Sequence, residues 1–125
     1  MKQIITTPHA PTPIGPYSQA VKAGNYLFVS GQIALNPATG TLLVSSILEE
    51  TKRVMENLKA VLQEADMDFS HVIKSTIFLN DMNNFTQVNE VYGSYFFDNF
   101  PARETVEVSR LPKDVRVEIS VIAFK

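Results

Sequence analysis

The stretch that decides the fold runs from Ser46 to Asn80, "SILEETKRVMENLKAVLQEADMDFSHVIKSTIFLN". Its first half carries Ile47, Val54, Leu58, Val61, Leu62 and Ala65 on one stripe, at three- and four-residue steps. That spacing predicts an amphipathic helix over 46–65. Ser46-Ile47-Leu48-Glu49 has the Ser-then-Glu capping-box pattern at its start. The second half, Val72 to Asn80, is rich in β-branched residues and reads as a strand, with Ile73, Ile77 and Leu79 on one face. A helix passing directly into a strand points to a sheet with helical crossovers.

Working outward, "YLFVSGQIAL" (Tyr26–Leu35) reads as a strand. Gly31 lies inside it, which predicts a bulge or a close approach of another group to the backbone. "NPATG" (Asn36–Gly40) reads as a turn. Pro8, Pro11, Pro13 and Pro16 lack amide donors and predict an extended, irregular lead-in. Beyond Asn80, Phe85, Val88, Tyr92, Tyr95 and Phe96 mark a second amphipathic helix. Two strands follow, Thr105–Leu111 and Val115–Phe124, joined by Pro112-Lys113-Asp114. The order is strands, helix, strand, helix, two strands. Two helices cover one face of such a sheet. Val106, Val108, Ile122 and Phe124 are left on the other, which predicts a homo-oligomer built through that face, with sites between subunits.

The chain has 125 residues, the size of one domain over 1–125, and 45% of them are apolar. A net charge of -2, spread along the chain, argues against nucleic acid or an anionic membrane as partner. There is no cysteine, so disulfides, thiol nucleophiles and thiolate metal sites are excluded. No apolar run approaches the roughly 20 residues needed to cross a bilayer. The N-terminus lacks the apolar core of a secretory signal. A soluble cytoplasmic chain is the simplest reading.

The common catalytic constellations are missing. His9 and His71 lack metal-pair spacing, and neither a Gly-x-Ser-x-Gly elbow nor a glycine-rich phosphate loop occurs. Asp66, Asp68, Asp81 and Asp98 fall where aspartate caps and turns. An arginine and an acid remain. Arg103 follows Pro101-Ala102 at the mouth of a predicted strand, and its planar fork suits a small carboxylate. It could equally form a structural ion pair with Glu90, Glu107 or Glu118. Glu118 sits in an otherwise apolar strand, where a buried carboxylate must find a partner or shift its pKa. A pairing with Arg116 or Arg110 is the structural alternative.

"IGPYSQA" (14–20), "SGQI" (30–33), "NLKAVLQEA" (57–65), "VNEVYGSYF" (88–96), "PAR" (101–103) and "EVSRLPKDVRVEISVIA" (107–123) together resemble the reactive intermediate deaminase A family, RidA or YjgF. The likeness runs through nearly the whole chain in the same order. It implies a chorismate-mutase-like α+β fold, a mixed sheet with two helices on one face, and a homotrimer with clefts between subunits. It also implies cofactor-free hydrolysis of enamines and imines, such as 2-aminoacrylate and 2-aminocrotonate, to 2-keto acids and ammonia. By the same resemblance Arg103 would clamp the substrate carboxylate and Glu118 would hold or activate the attacking water. Tyr17, Ser30, Gly31 and Asn89 would line the cleft. Glu104 and Thr105, where relatives often carry Ser and Cys, would add backbone amides or a hydroxyl. A 2-keto-acid-binding regulator without turnover, and an endoribonuclease, are the alternatives the same family allows.

Overall fold

The computed structural model describes all residues, 1–125. Its elements are β1 (Lys2–Ile5), β2 (Ala20–Ala23), β3 (Tyr26–Gln32), α1 (Ile47–Glu64), β4 (Val72–Leu79), α2 (Phe85–Gly93), β5 (Ala102–Glu107) and β6 (Val117–Phe124). They form one six-stranded sheet in the order β1-β2-β3-β6-β4-β5. β4 and β5 are parallel and joined through α2; every other neighbouring pair is antiparallel. β6 therefore lies between β3 and β4, strands that precede it in the chain.

The predicted helix forms as its stripe requires. Ser46 caps it by accepting a hydrogen bond from the Glu49 amide at 3.1 Å. Asp66 follows its last turn in a left-handed conformation (φ 57°). The Met67 amide bonds the Leu62 carbonyl and the Asp66 amide bonds that of Gln63, a Schellman ending in which glycine is the usual residue. The departure from glycine at Asp66 thus stays a local matter of helix termination. α1 and α2 pack their apolar faces on one side of the sheet, over Leu27, Val29, Ile77, Leu79, Val117, Ile119, Val121 and Ala123. A smaller cluster of Ile33, Leu35, Leu111 and Val115 gathers under the loops that follow β3 and precede β6.

Several boundaries differ from the sequence reading, each for a pairing reason. Gly31 does mark an irregularity, since the β3–β6 register shifts between Val29 and Gln32. Beyond Gln32 the chain leaves the sheet, and Leu35 makes only an isolated bridge to Leu42. β5 begins at Ala102 rather than Thr105 and stops at Glu107, because its partner β4 ends at the paired Leu79. Arg103 therefore stands within a strand, not before one. Ile73 was expected on the buried face and is exposed instead: a register shift between Val72 and Lys74 puts Val72 inside in its place. Tyr95 and Phe96 lie just past α2 and reach the core through Phe69. The proline-rich segment is irregular, but two short strands flank it.

β6 starts at Val117 because the Arg116 amide is already committed. The fully buried Glu50 carboxylate accepts it at 2.7 Å, accepts Val117 N at 3.3 Å, and takes Arg116 Nε at 2.7 Å. Arg116 Nη2 also donates to the Val44 carbonyl. This cluster pins the first turn of α1 to the root of the central strand. Glu50→Gln keeps the shape but turns an amide group toward donors. It is expected to cost roughly 1.5–3 kcal/mol, read as a lower urea midpoint with an unchanged m-value.

The face away from the helices carries Ile4, Tyr26, Phe28, Val106 and Phe124, each more than 40% exposed. Tyr26 and Phe124 meet edge to face at 5.0 Å. No helix is long and apolar enough to cross a membrane.

Candidate functional site

Side chains alternate along β5, so Arg103 and Thr105 share a face while Glu104 takes the other. Arg103 is paired in register with Ser75, which is buried on the helix side. Its side chain therefore lies under α2, where Phe85, Asn89 and Tyr92 recur at helical spacing. The guanidinium carbon is 5.6 Å from the Phe85 ring centroid and 5.2 Å from that of Tyr92. Nη1 donates to Asn89 Oδ1 at 2.7 Å. The Tyr92 hydroxyl donates to Ser75 Oγ at 2.8 Å, which fixes the ring beneath the cation, and burial pushes its phenol up. None of the three acids that might have neutralised Arg103 does so. The cradle is neutral, and the remaining fork nitrogens have no partner within the chain.

Glu104 projects to the opposite face and pairs with Lys74 at 3.2 Å, so it does not compete for Arg103. The Val108 amide bonds the Leu79 carbonyl. The two-residue repeat of a parallel ladder extends that pattern to the amides of Val106 and Glu104, leaving those of Thr105 and Arg103 facing the open edge. Of the two backbone groups expected to help, Thr105 is the one available. Its Oγ1 is also the one buried side-chain polar atom without a hydrogen-bond partner.

Glu118 occupies a second environment. It alternates with the buried Val117 and Ile119 and so points away from the helices. It is paired in register with Phe78. Its carboxyl lies over Gly31: a Cβ there would fall 2.8 Å from the carboxyl carbon and closer still to Oε2. Arg116 and Arg110, its possible partners, bind Glu50 and Asp114 instead. Unpaired and half-buried, Glu118 has its pKa raised above the ordinary 4.5 by desolvation. Pro11, Thr12, Ile14, Tyr17, Gln19, Gln32, Ile33, Leu35 and Pro112 complete the pocket. Tyr17 is half exposed, its hydroxyl accepting the Ile14 amide at 3.3 Å. The Ser30 hydroxyl, expected at the cleft, donates to the Ser18 carbonyl at 2.6 Å and ties down the segment carrying Tyr17.

Gly31→Ala should leave the fold intact, because the obstruction is a flexible carboxyl end. It should displace the Glu118 carboxyl, checked as a moved Glu118 carboxyl resonance in carbon NMR at an unchanged melting temperature.

Within one chain, then, the expected residues fall into two groups. Arg103, Asn89 and Thr105 lie on the helix side of the edge strand. Glu118, Gly31 and Tyr17 lie on the other side of the sheet. The chain does not by itself bring Arg103 and Glu118 together. Phe85 and Tyr92 were missed as site residues because their spacing marks a helix core equally well.

The fold and these groups define a small mixed α+β chain that presents an unneutralised guanidinium at a sheet edge and an unpaired acid over a glycine. A family model described as Endoribonuclease L-PSP matches residues 7–125. A RutC family protein of Pyrococcus horikoshii is 54% identical over the whole chain and 99% of its own length. The human 2-iminobutanoate/2-iminopropanoate deaminase is 42% identical, covering 100% of this chain and 91% of that protein. The crystal structure of E. coli TdcF with bound serine superposes with a TM-score of 0.94 at 40% identity, over 98% of each chain. The chain belongs to the RidA (YjgF, RutC, L-PSP) family.

Proposed function

We propose that this chain hydrolyses small enamines and imines bearing a carboxylate, such as 2-aminoacrylate and 2-aminocrotonate, to the 2-keto acid and ammonia. The observation that carries the reading is the neutral cradle of Arg103: a permanent cation, fixed by Asn89 and two aromatic faces, with fork nitrogens free at an open edge. A substrate carboxylate is the anion that such a fork receives best. The Thr105 amide, facing the open edge, extends the same anchor. The human relative named for the deaminase reaction, and TdcF with its bound serine, support a small amino-acid-derived substrate.

The chemistry needs little machinery. The enamine takes a proton from solvent at its β-carbon, returns one from nitrogen and becomes the imine, whose carbon is electrophilic. A water held by Glu118 adds its oxygen there and gives up a proton to the carboxylate. That proton passes to nitrogen and gives the carbinolamine; the carbinol hydroxyl then yields its proton to the amine through the same carboxylate as the C–N bond breaks, so the carbonyl forms and ammonia leaves. Positioning and one proton shuttle are sufficient for an intermediate this reactive.

Because Arg103 and Glu118 face opposite ways, the reading requires identical copies, three of them by family resemblance. The open edge of one copy then meets the Glu118 pocket of the next. The exposed Tyr26, Phe28 and Phe124 are material for such contacts. The test generates 2-aminoacrylate with a serine dehydratase and follows ammonia release. Arg103→Ala and Glu118→Gln proteins, each inactive alone, are then unfolded and refolded together. A shared site regains about one quarter of wild-type activity on random mixing of heterologous contacts. No recovery would defeat the shared site. Binding of 2-keto acids without turnover by the wild type would favour a regulator, and cleavage of RNA in place of the imine a ribonuclease.

A further inference from the structure

The Glu118 pocket has a wall made of irregular chain. Residues 6–19 contain no helix or strand, yet they connect β1 and β2, which pair directly from Ile5 to Ala20. With four prolines, this strap has few amides with which to hold itself. The Ser30 hydroxyl holds its end at the Ser18 carbonyl, and one side chain gathers the first half of it. Gln19 is 2% exposed, and its Oε1 accepts the Thr7 amide at 2.7 Å. Its Nε2 donates to the carbonyls of Thr7 at 3.0 Å, Ala10 at 3.2 Å and Pro11 at 2.9 Å. The far side of the strap, Pro11, Thr12, Ile14 and Tyr17, lines the pocket into which Glu118 points, and Gln19 lines it too.

We infer that Gln19 is a positioning residue for Glu118: its carboxamide folds the strap down as the wall that keeps bulk water off the acid. The inference rests on the proposed role of Glu118. Its geometry is independent of any substrate. The four bonds converge on a single buried group, and no other side chain holds Thr7, Ala10 and Pro11 together.

Among groups facing Glu118, Tyr17 of the strap is the one other titratable side chain lining the pocket. β3 contributes Gly31 and β4 contributes Phe78, both uncharged. Lys113 and Asp114 follow Pro112, with Asp114 held by Arg110 at 2.6 Å. Lys74 and Glu104 pair with each other farther along the same sheet face. Within one chain no cation is placed to cancel the cost of removing water from the acid; in the proposed assembly Arg103 of the next copy faces the same cleft, and it is the same in wild type and in both Gln19 variants.

The experiment compares wild type with Gln19→Met, which keeps length and loses every bond, and with the milder Gln19→Asn. The Glu118 carboxyl is titrated by carbon NMR, and hydrogen exchange is followed at Thr7, Ile14 and Tyr17. In folded Gln19→Met we expect faster exchange confined to the strap. We also expect the Glu118 midpoint to fall toward its ordinary value, and kcat to drop more than KM changes. Should the methionine variant fail to fold, the asparagine variant must show the same shifts in smaller measure. An unmoved Glu118 midpoint, with only the melting temperature lowered, would overturn the inference and leave Gln19 a purely structural residue. Because the NMR midpoint is read without substrate, a wild type lacking deaminase activity would defeat the proposed function and leave this test standing.

Discussion

Arg103→Ala is expected to lower kcat/KM for 2-aminoacrylate hydrolysis by about 30-fold to several thousand-fold, the equivalent of roughly 2–5 kcal/mol. The reason is the neutrality of its surroundings. Asn89 orients the guanidinium without discharging it, and Phe85 and Tyr92 hold it between aromatic faces. Removing it leaves an anion in a cleft with no other cation among the lining groups. Arg103→Lys should recover little, because an ammonium offers neither two parallel bonds nor a flat surface for the rings. The measurement is steady-state ammonia release across substrate concentrations. Equal kcat/KM for wild type and Arg103→Ala would remove the assigned anchor. The fold should be indifferent, since the edge strand is held by its ladder to β4.

Glu118→Gln is expected to cost about 10²–10⁴-fold in kcat, the usual worth of a general base, with KM nearly unchanged. Glutamine fills the same space over Gly31 and cannot accept the water's proton. The pH dependence gives a second signature. Burial raises the Glu118 pKa, so wild-type activity should fall on acidification through a midpoint above 4.5, and the variant should lose that limb. The stability effect has the opposite sign. The folded state favours the protonated form, so ionised Glu118 weakens the native state at neutral pH. Glu118→Gln should therefore be the more stable protein at pH 7, with the advantage fading as pH falls through the raised folded-state pKa and gone below the unfolded-state pKa. A variant that is both inactive and less stable at pH 7 would contradict this account.

Much of the fold is legible in the chain because periodicity reports burial. The stripe from Ile47 to Ala65 and the alternation of Val117, Ile119, Val121 and Ala123 give α1 and β6 directly. Pairing is what a single segment cannot disclose. Nothing in Ile73 itself announces the register shift that turns it outward, and nothing in Thr105–Leu111 says that its partner ends at Leu79. Arg103 and Glu118 stand out as a cation and an acid in apolar company. Their opposite facing follows only from the register of β4 with both neighbours. Gln19 was legible as part of a motif and illegible as a device, because three of its partners are carbonyls of the backbone, which carry no residue signature.

The position of β6 has a consequence for how the molecule comes into being. β3 and β4 are made before it, and the seat between them stays vacant until β6 arrives, with Leu27, Val29, Ile77 and Leu79 unsheltered meanwhile. Such long-range closure is slow and leaves sticky edges exposed to other chains. Shortening the chain within Val117–Phe124 should therefore yield insoluble protein rather than a partly working one, and assistance by chaperones during synthesis should matter most in that interval.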